Sequence, residues 1–267
     1  MIDKNTQDLL AKADSAPATP EVARRAIPLV DLTSLSGSET GAEIEALCAK
    51  ALAHQVAAVC IYPRFLPIAR PLLAGGTVRL AGVANFPDGS DDLARAADEA
   101  AAAVADGADE VDVVAPVQAI MEGDVGIVGE LVEAVRVAIG PSTRLKLILE
   151  TGVLADPDRI TAAARAAVMA GVDFLKTSTG KVPVGATPEA AAVLMRVCEE
   201  AGMRVGFKAS GGIRTAADAA RYLCLGDAIM GAGQISAQTF RFGASSLLDD
   251  LVRVAGGGAS EAGTGGY

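Results

Sequence analysis

Two lysines stand in contexts where a strand ordinarily carries none. They are Lys176 in Phe174-Leu175-Lys176-Thr177-Ser178-Thr179-Gly180 and Lys208 in Val205-Gly206-Phe207-Lys208-Ala209-Ser210-Gly211-Gly212. Each follows an apolar run and precedes a polar, glycine-containing stretch, which places each at the carboxyl end of a buried strand. A buried ammonium costs free energy unless it has a partner or a chemical role. Two in one cavity would repel, and repulsion with desolvation lowers a lysine pKa, which makes the amine a nucleophile at neutral pH. Lowering it from the ordinary 10.4 to roughly 7 raises the nucleophilic fraction about a thousandfold. The chemistry this suits is Schiff-base formation with a carbonyl.

Other polar side chains fall at neighbouring strand ends. Period-two alternation puts Asp31 with Thr33, Asp112 with Val114, Lys146 with Ile148 and Glu150, Lys176 with Ser178, and Lys208 with Ser210 on common faces. Asp112, within Glu110-Val111-Asp112-Val113-Val114-Ala115-Pro116, needs a cationic partner if its strand is buried, and the lysines supply one. A purely structural ion network of Asp112, Lys146 and Lys208 is the competing reading. It accounts for those charges but leaves one lysine over.

The elements able to carry these groups are short β-branched runs alternating with alanine-rich helical stretches. Expected strands are Pro28 to Asp31, Val56 to Tyr62, Val78 to Ala84, Glu110 to Ala115, Arg144 to Glu150, Phe174 to Ser178, Arg204 to Ala209 and Asp227 to Met230. Expected helices include Asp91 to Asp106, Asp124 to Ile139, Asp156 to Ala170 and Pro188 to Ala201, several opening on Asp or Pro as helix starts do. Repeated βα units with near-continuous apolar strands imply a parallel sheet covered by helices, and eight of them imply an α/β fold, a closed (β/α)8 TIM barrel. The chain 1–267 reads as one domain: an N-terminal helical extension over 1–27, the barrel, and a glycine-rich flexible tail over 256–267 that ends in Tyr267. That tail is either simply mobile or a tether that brings the Tyr267 phenol to the active site.

Barrels commonly hold a substrate phosphate with the loops after strands seven and eight and a helix N-terminus. Gly211-Gly212-Ile213-Arg214 follows the seventh strand, Arg241-Phe242-Gly243-Ala244-Ser245-Ser246 opens the last helix on this reading, and Gly180-Lys181 adds a third edge. One Gly-Gly pair is ordinarily just a turn; three such segments at adjacent strand ends are more specific.

Composition narrows the partners. Over 267 residues, 51% are hydrophobic, and no apolar run is long enough to span a bilayer. The polar N-terminus resembles no secretory signal, so a cytoplasmic protein is expected. A net charge of −10, from 33 acidic and 23 basic residues, argues against nucleic acid as the main partner. Cys48, Cys60, Cys198 and Cys224 show no clustered spacing and read as reduced core thiols. The single histidine, His54, falls at a helix end, where a cation suits the dipole. One histidine and no cysteine cluster make a transition-metal site unexpected, so neither metal nor cofactor is assigned.

With these residues assembled, the chain resembles the deoxyribose-phosphate aldolase family, whose Schiff-base enzymes cleave 2-deoxy-D-ribose 5-phosphate to acetaldehyde and D-glyceraldehyde 3-phosphate. The resemblance runs from about Asp31 to Tyr267. It is carried by Asp31-Leu32-Thr33-Ser34-Leu35, Cys60-Ile61-Tyr62-Pro63-Arg64, Asn85-Phe86-Pro87, Asp109-Glu110-Val111-Asp112, Leu149-Glu150-Thr151-Gly152 and, most specifically, the two lysine blocks. It implies that Lys176 forms the imine, that Lys208 depresses its pKa, and that Asp112 works with Lys208 in proton transfer. It also implies that Tyr267 helps move the proton at the enamine carbon, with Asp31, Thr33 and Lys146 in support. Gly180, Lys181, Gly211, Gly212, Ile213, Arg214, Gly243, Ser245 and Ser246 match positions around the phosphate. The implied setting is deoxyribose phosphate catabolism with a small sugar phosphate as partner. A homodimer is compatible with the resemblance, although no interface signature stands out. The stretch from Asp227 to Thr239 departs most from the family pattern. Two readings stay open beside it: a Schiff-base barrel with another aldehyde donor, and a catalytically silent phosphosugar-binding barrel.

Overall fold

The computed structural model describes residues 4–260. Eight parallel strands close into a barrel in chain order: β1 (Val30–Ser34), β2 (Ala58–Ile61), β3 (Arg79–Ala84), β4 (Glu110–Val114), β5 (Arg144–Ile148), β6 (Phe174–Lys176), β7 (Gly206–Ser210) and β8 (Phe240–Ala244). Helices cover the outside, giving the (β/α)8 TIM barrel that the alternating pattern predicts. Two helices, Lys4–Asp14 and Pro20–Ala26, precede the first strand. Among the described residues, no helix is long and apolar enough to cross a membrane.

Local chemistry starts the helices where the sequence suggests. Asp156 and Thr187 cap Pro157–Met169 and Pro188–Glu200, each accepting hydrogen bonds from first-turn amides, with proline at the first helical position. Thr40 and Thr215 form reciprocal capping boxes with Glu43 and Asp218. His54 is the last residue of the helix Gly41–His54, at the end the dipole favours for a cation.

Two apolar layers result. The larger lies between strands and helices and takes the outward residues, among them Val111, Val113, Leu175, Phe207, Phe240 and Phe242. Phe207, Phe240 and Phe242 meet edge to face, with centroids 5.4 and 5.1 Å apart, and lock β7 to β8. The smaller, Leu35, Cys60, Ala81 and Val83, is separate. Cys48, Cys60 and Cys198 are buried, Cys224 is partly buried, and all four are free thiols.

The eighth strand is not where the pattern placed it. Asp227–Gly231 is a π-helical turn that continues the helix Ala216–Gly226, with Met230 its buried residue and Asp227 held by Arg25 at 2.7 Å. One buried residue in such a run is a helical, not a strand, pattern. The true β8 is Phe240–Ala244, so Arg241 and Gly243 sit within a strand instead of opening the last helix, which starts at Leu247. An arginine between two phenylalanines hides the strand from a search for continuous apolar runs. At the other end, the first strand begins later than expected, because Ile27–Leu29 forms a 3₁₀ turn. After the last helix, Leu247–Ala255, the amides of Gly257 and Gly258 return to the carbonyls of Val254 and Arg253, so the start of the glycine-rich tail caps that helix.

Glycine makes room where β6 and β7 meet. A Cβ on Gly206 would lie 2.5 Å from the Phe174 ring. Gly206→Ala is therefore expected to destabilise the fold by about 1–3 kcal/mol through overpacking. Gly129→Ala, in an open helical position with nothing within 4 Å, is expected to stabilise it by about 0.5–1 kcal/mol. Urea denaturation of both variants checks the contrast.

Candidate active site

Strand register brings the polar residues together. Lys176 on β6 and Lys208 on β7 are direct Cα partners, as are Asp112 on β4 and Lys146 on β5. The Asp112 carboxylate stands at the centre. Its Oδ2 accepts from Lys176 at 2.8 Å and from Lys208 at 2.7 Å, while its Oδ1 accepts from Lys146 at 2.9 Å. Lys208 also donates to Asp31 at 2.5 Å. The residues Lys176, Lys208, Asp112, Asp31 and Lys146, all expected from the sequence, thus share one ion-paired cluster, fully or almost fully buried.

The two central lysines differ in access and surroundings. Lys176 lines a cavity of about 410 Å³ at the carboxyl ends of the strands, together with Thr33, Thr179 and Ser210; Lys208 is wholly buried beneath it. Burial is the main influence lowering the pKa of Lys176, and the nearby Lys208 charge adds to it against the opposing pull of Asp112. Burial acts downward on Lys208 too, yet Asp112 and Asp31 outweigh it and hold Lys208 above its ordinary value. Burial alone would raise Asp112, but Lys146, Lys176 and Lys208 hold it well below the usual carboxylate range. The arrangement therefore favours proton loss at the lysine that faces the cavity.

Two residues not singled out from the sequence belong to the same cluster. Arg241 on β8 donates to Asp31 at 2.5 Å and to Glu110 at 3.0 Å, and Glu110 pairs with Lys146 at 2.5 Å. Glu110 was detectable, since it shares the period-two face of Asp112. Arg241 was concealed by the misplaced eighth strand. A further carboxylate, Glu150, lies buried beyond β5 in a left-handed conformation at φ 49° and accepts a 2.5 Å hydrogen bond from Thr179 Oγ1. Burial is the main cause raising its pKa.

The expected phosphate positions surround two adjoining cavities. Gly180, Lys181 and Gly211 line the one that holds Lys176, while Gly212, Ile213, Arg214 and Ser246 line a second of about 260 Å³. Gly243 and Ser245 border both. Gly211 and Gly212 adopt φ of +90° and +83°, which glycine accepts without strain. Gly243 also makes room below the mouth. A Cβ there would lie 2.8 Å from Lys208 Cε, so its bareness admits the Lys208 stem. A larger cavity, about 940 Å³, opens at the amino-terminal ends of the strands beside Glu110, Arg144 and Arg241, but no lysine lines it. Tyr267 lies outside the described residues.

A parallel eight-stranded barrel with a buried lysine facing a cavity at the carboxyl ends of its strands is an arrangement compatible with the aldolase class. The chain belongs to the DeoC/LacD family of aldolases, whose family model matches residues 25–252. Among solved structures, it is similar to a protein from Coccidioides immitis provisionally named a deoxyribose-phosphate aldolase, at 30% identity over 94% of this chain and 98% of that one, with a TM-score of 0.77. A provisionally named deoxyribose-phosphate aldolase from Toxoplasma gondii matches at 26% identity over 89% and 95%, with a TM-score of 0.80. A tetrameric deoxyribose-phosphate aldolase from Aeropyrum pernix matches at 27% identity over 92% and 97%, with a TM-score of 0.72.

The depressed carboxylates predict an acid-sensitive fold. A group whose folded pKa lies below its unfolded one adds stability that is fully present above the unfolded value and lost as pH falls through the folded one. For Asp31, Glu110 and Asp112 the loss begins below about pH 4, the unfolded carboxylate range. Urea midpoints measured from pH 6 to pH 3 should show the fall. Asp112→Asn, which takes from Lys176 its one carboxylate partner among the described residues and one each from Lys146 and Lys208, should cost about 3–5 kcal/mol at pH 7.

Proposed function

We propose that the protein is a class I aldolase that reversibly cleaves 2-deoxy-D-ribose 5-phosphate to acetaldehyde and D-glyceraldehyde 3-phosphate, with Lys176 as the imine-forming residue. The observation that carries this reading is the asymmetry of the paired lysines. Both donate to Asp112 Oδ2, yet only Lys176 borders the cavity and has its pKa lowered.

In this mechanism neutral Lys176 attacks C1 of the open-chain sugar, and the carbinolamine loses water to give a protonated imine. Asp112 and Lys208 relay the proton that leaves the C3 hydroxyl as the C2–C3 bond breaks. The bonding pair moves toward the imine nitrogen and leaves the enamine of acetaldehyde, while the departing three carbons become glyceraldehyde 3-phosphate. Protonation at C2 and hydrolysis then free Lys176. The Tyr267 phenol is assigned the proton at C2. Thr33, with its hydroxyl donating to the Asp31 carbonyl at 2.8 Å, borders the substrate cavity. The positive-φ glycines and the segments Gly180-Lys181, Gly211 to Arg214 and Gly243 to Ser246 are assigned the phosphate, which backbone amides and the Lys181 charge suit. The similar proteins named deoxyribose-phosphate aldolases support the donor assignment.

Borohydride reduction in the presence of deoxyribose 5-phosphate tests the mechanism. A substrate-derived or two-carbon adduct is expected on Lys176 by peptide mapping, with Lys176→Ala unlabelled and its kcat lower by at least about a thousandfold. Acetaldehyde among the products fixes the donor. A different aldehyde would point to another Schiff-base aldolase, and substrate binding without label would point to a silent barrel. Unphosphorylated deoxyribose should react with kcat/KM lower by about a hundredfold or more if the phosphate is held as assigned.

A further inference from the structure

The ion pairs around Asp112 do not stop at the lysines. They continue toward the amino-terminal end of the barrel through Asp31 and Lys146 to Arg241 and Glu110, and Glu110 ends the chain at the half-buried Arg144, 3.0 Å away. The fully or almost fully buried part of this network contains Lys146, Lys176, Lys208 and Arg241 against Asp31, Glu110 and Asp112. When every basic group is protonated, cations exceed carboxylates by one. In a medium of low polarity such an excess is costly, and the loss of one proton removes it. The guanidinium does not deprotonate in proteins. Lys146 touches three carboxylates and Lys208 two, whereas Lys176 touches Asp112 alone among the described residues. The proton most readily lost is therefore the one on Lys176.

We propose that Arg241 and Glu110, neither of which lines the substrate cavity, are positioning residues that set the charge balance of the barrel interior and thereby determine the pH at which Lys176 becomes a nucleophile; this rests on the reading of Lys176 as the imine-forming lysine. The charged and titratable groups that face the network are Asp31 from β1, Cys60 from β2, Glu110 and Asp112 from β4, Arg144 and Lys146 from β5, Lys208 from β7 and Arg241 from β8. Glu150 and Lys181 stand nearer the mouth. β3 contributes only Ala81 and Val83 to the inner apolar cluster. Cys60 is fully buried, chiefly burial raises its pKa, and the thiol stays neutral. Arg144 is partly exposed, so solvent screens it.

The two positioning residues then have opposite effects. Removal of the Arg241 charge leaves cations and carboxylates equal with Lys176 still protonated, so Lys176 holds its proton to higher pH. Removal of the Glu110 charge enlarges the excess, so Lys176 gives up its proton at lower pH. A purely structural role for either residue predicts weaker folding and no such pair of signs.

The test is the pH dependence of Lys176 trapping by acetaldehyde and cyanoborohydride, read as label on the Lys176 peptide by peptide mapping, with one reductant concentration for all proteins so that its own pH dependence cancels. Relative to the unmodified protein, the midpoint for Arg241→Met should move up by about one pH unit or more, and that for Glu110→Gln down by a similar amount, as expected for loss of one nearby charge. Arg241→Lys, which keeps the charge, should stay near the original midpoint, and the double variant Arg241→Met with Glu110→Gln should return toward it. If Arg241→Met does not fold, Glu110→Gln and Arg241→Lys decide the matter. Midpoints that coincide, or that move in the same direction, overturn the proposal. No label on the unmodified protein would instead overturn the reading of Lys176 itself.

Discussion

The carboxylate of Asp112, shared by three lysines, is the constraint to which the interior of this barrel is built. An unpaired carboxylate at that depth would be expensive, and so would each ammonium around it. Together they are tolerable because the geometry lets each lysine reach a carboxylate oxygen within 2.7 to 2.9 Å. That geometry is a property of parallel strands in register. Neighbouring strands bring Asp112 beside Lys146 and Lys176 beside Lys208, and the inward faces of four strands converge on one point. Helices and outward apolar residues matter to the chemistry because they hold this register.

Space had to be cleared for so many long charged side chains. Gly206 admits the Phe174 ring, which carries the Arg241 and Arg144 guanidiniums near its face at 5.7 and 5.4 Å. Gly243 admits the Lys208 stem. A glycine assigned from sequence to the phosphate mouth therefore also serves the buried lysine one layer below. One substitution there would disturb Lys208 and the rim of the cavity together.

What could be read from the sequence follows from which signals are local. Strand ends marked by a lone charge after an apolar run, as at Lys176 and Lys208, are local, and so are the helix starts at Asp156 and Pro188; these lay where expected. The eighth strand was not legible, because its inward positions are an arginine and a glycine, both of which read as interruption. Arg241 makes sense in a strand only once Asp31 and Glu110, from β1 and β4, are seen around it. Those partners lie 210 and 131 residues away in the chain. The short apolar run Asp227 to Met230 misled for the complementary reason, since four residues carry too little periodicity to separate a helical turn from a strand.

The same long-range pairing gives identical side chains at adjacent positions opposite pKa shifts. Lys176 and Lys208 are the same residue type, directly opposite one another and bonded to the same oxygen atom. Lys208 has a second carboxylate, Asp31, which Arg241, Lys208 itself and Lys146 together keep ionised despite its burial; burial by itself would push Asp31 toward neutrality. Lys176 has no second carboxylate among its ion pairs with the described residues and stands at the cavity wall. The direction of each shift is thus set less by the lysine than by the carboxylates around it. The strand with the least legible pattern, β8, supplies Arg241, one of the three cations around the second carboxylate of Lys208.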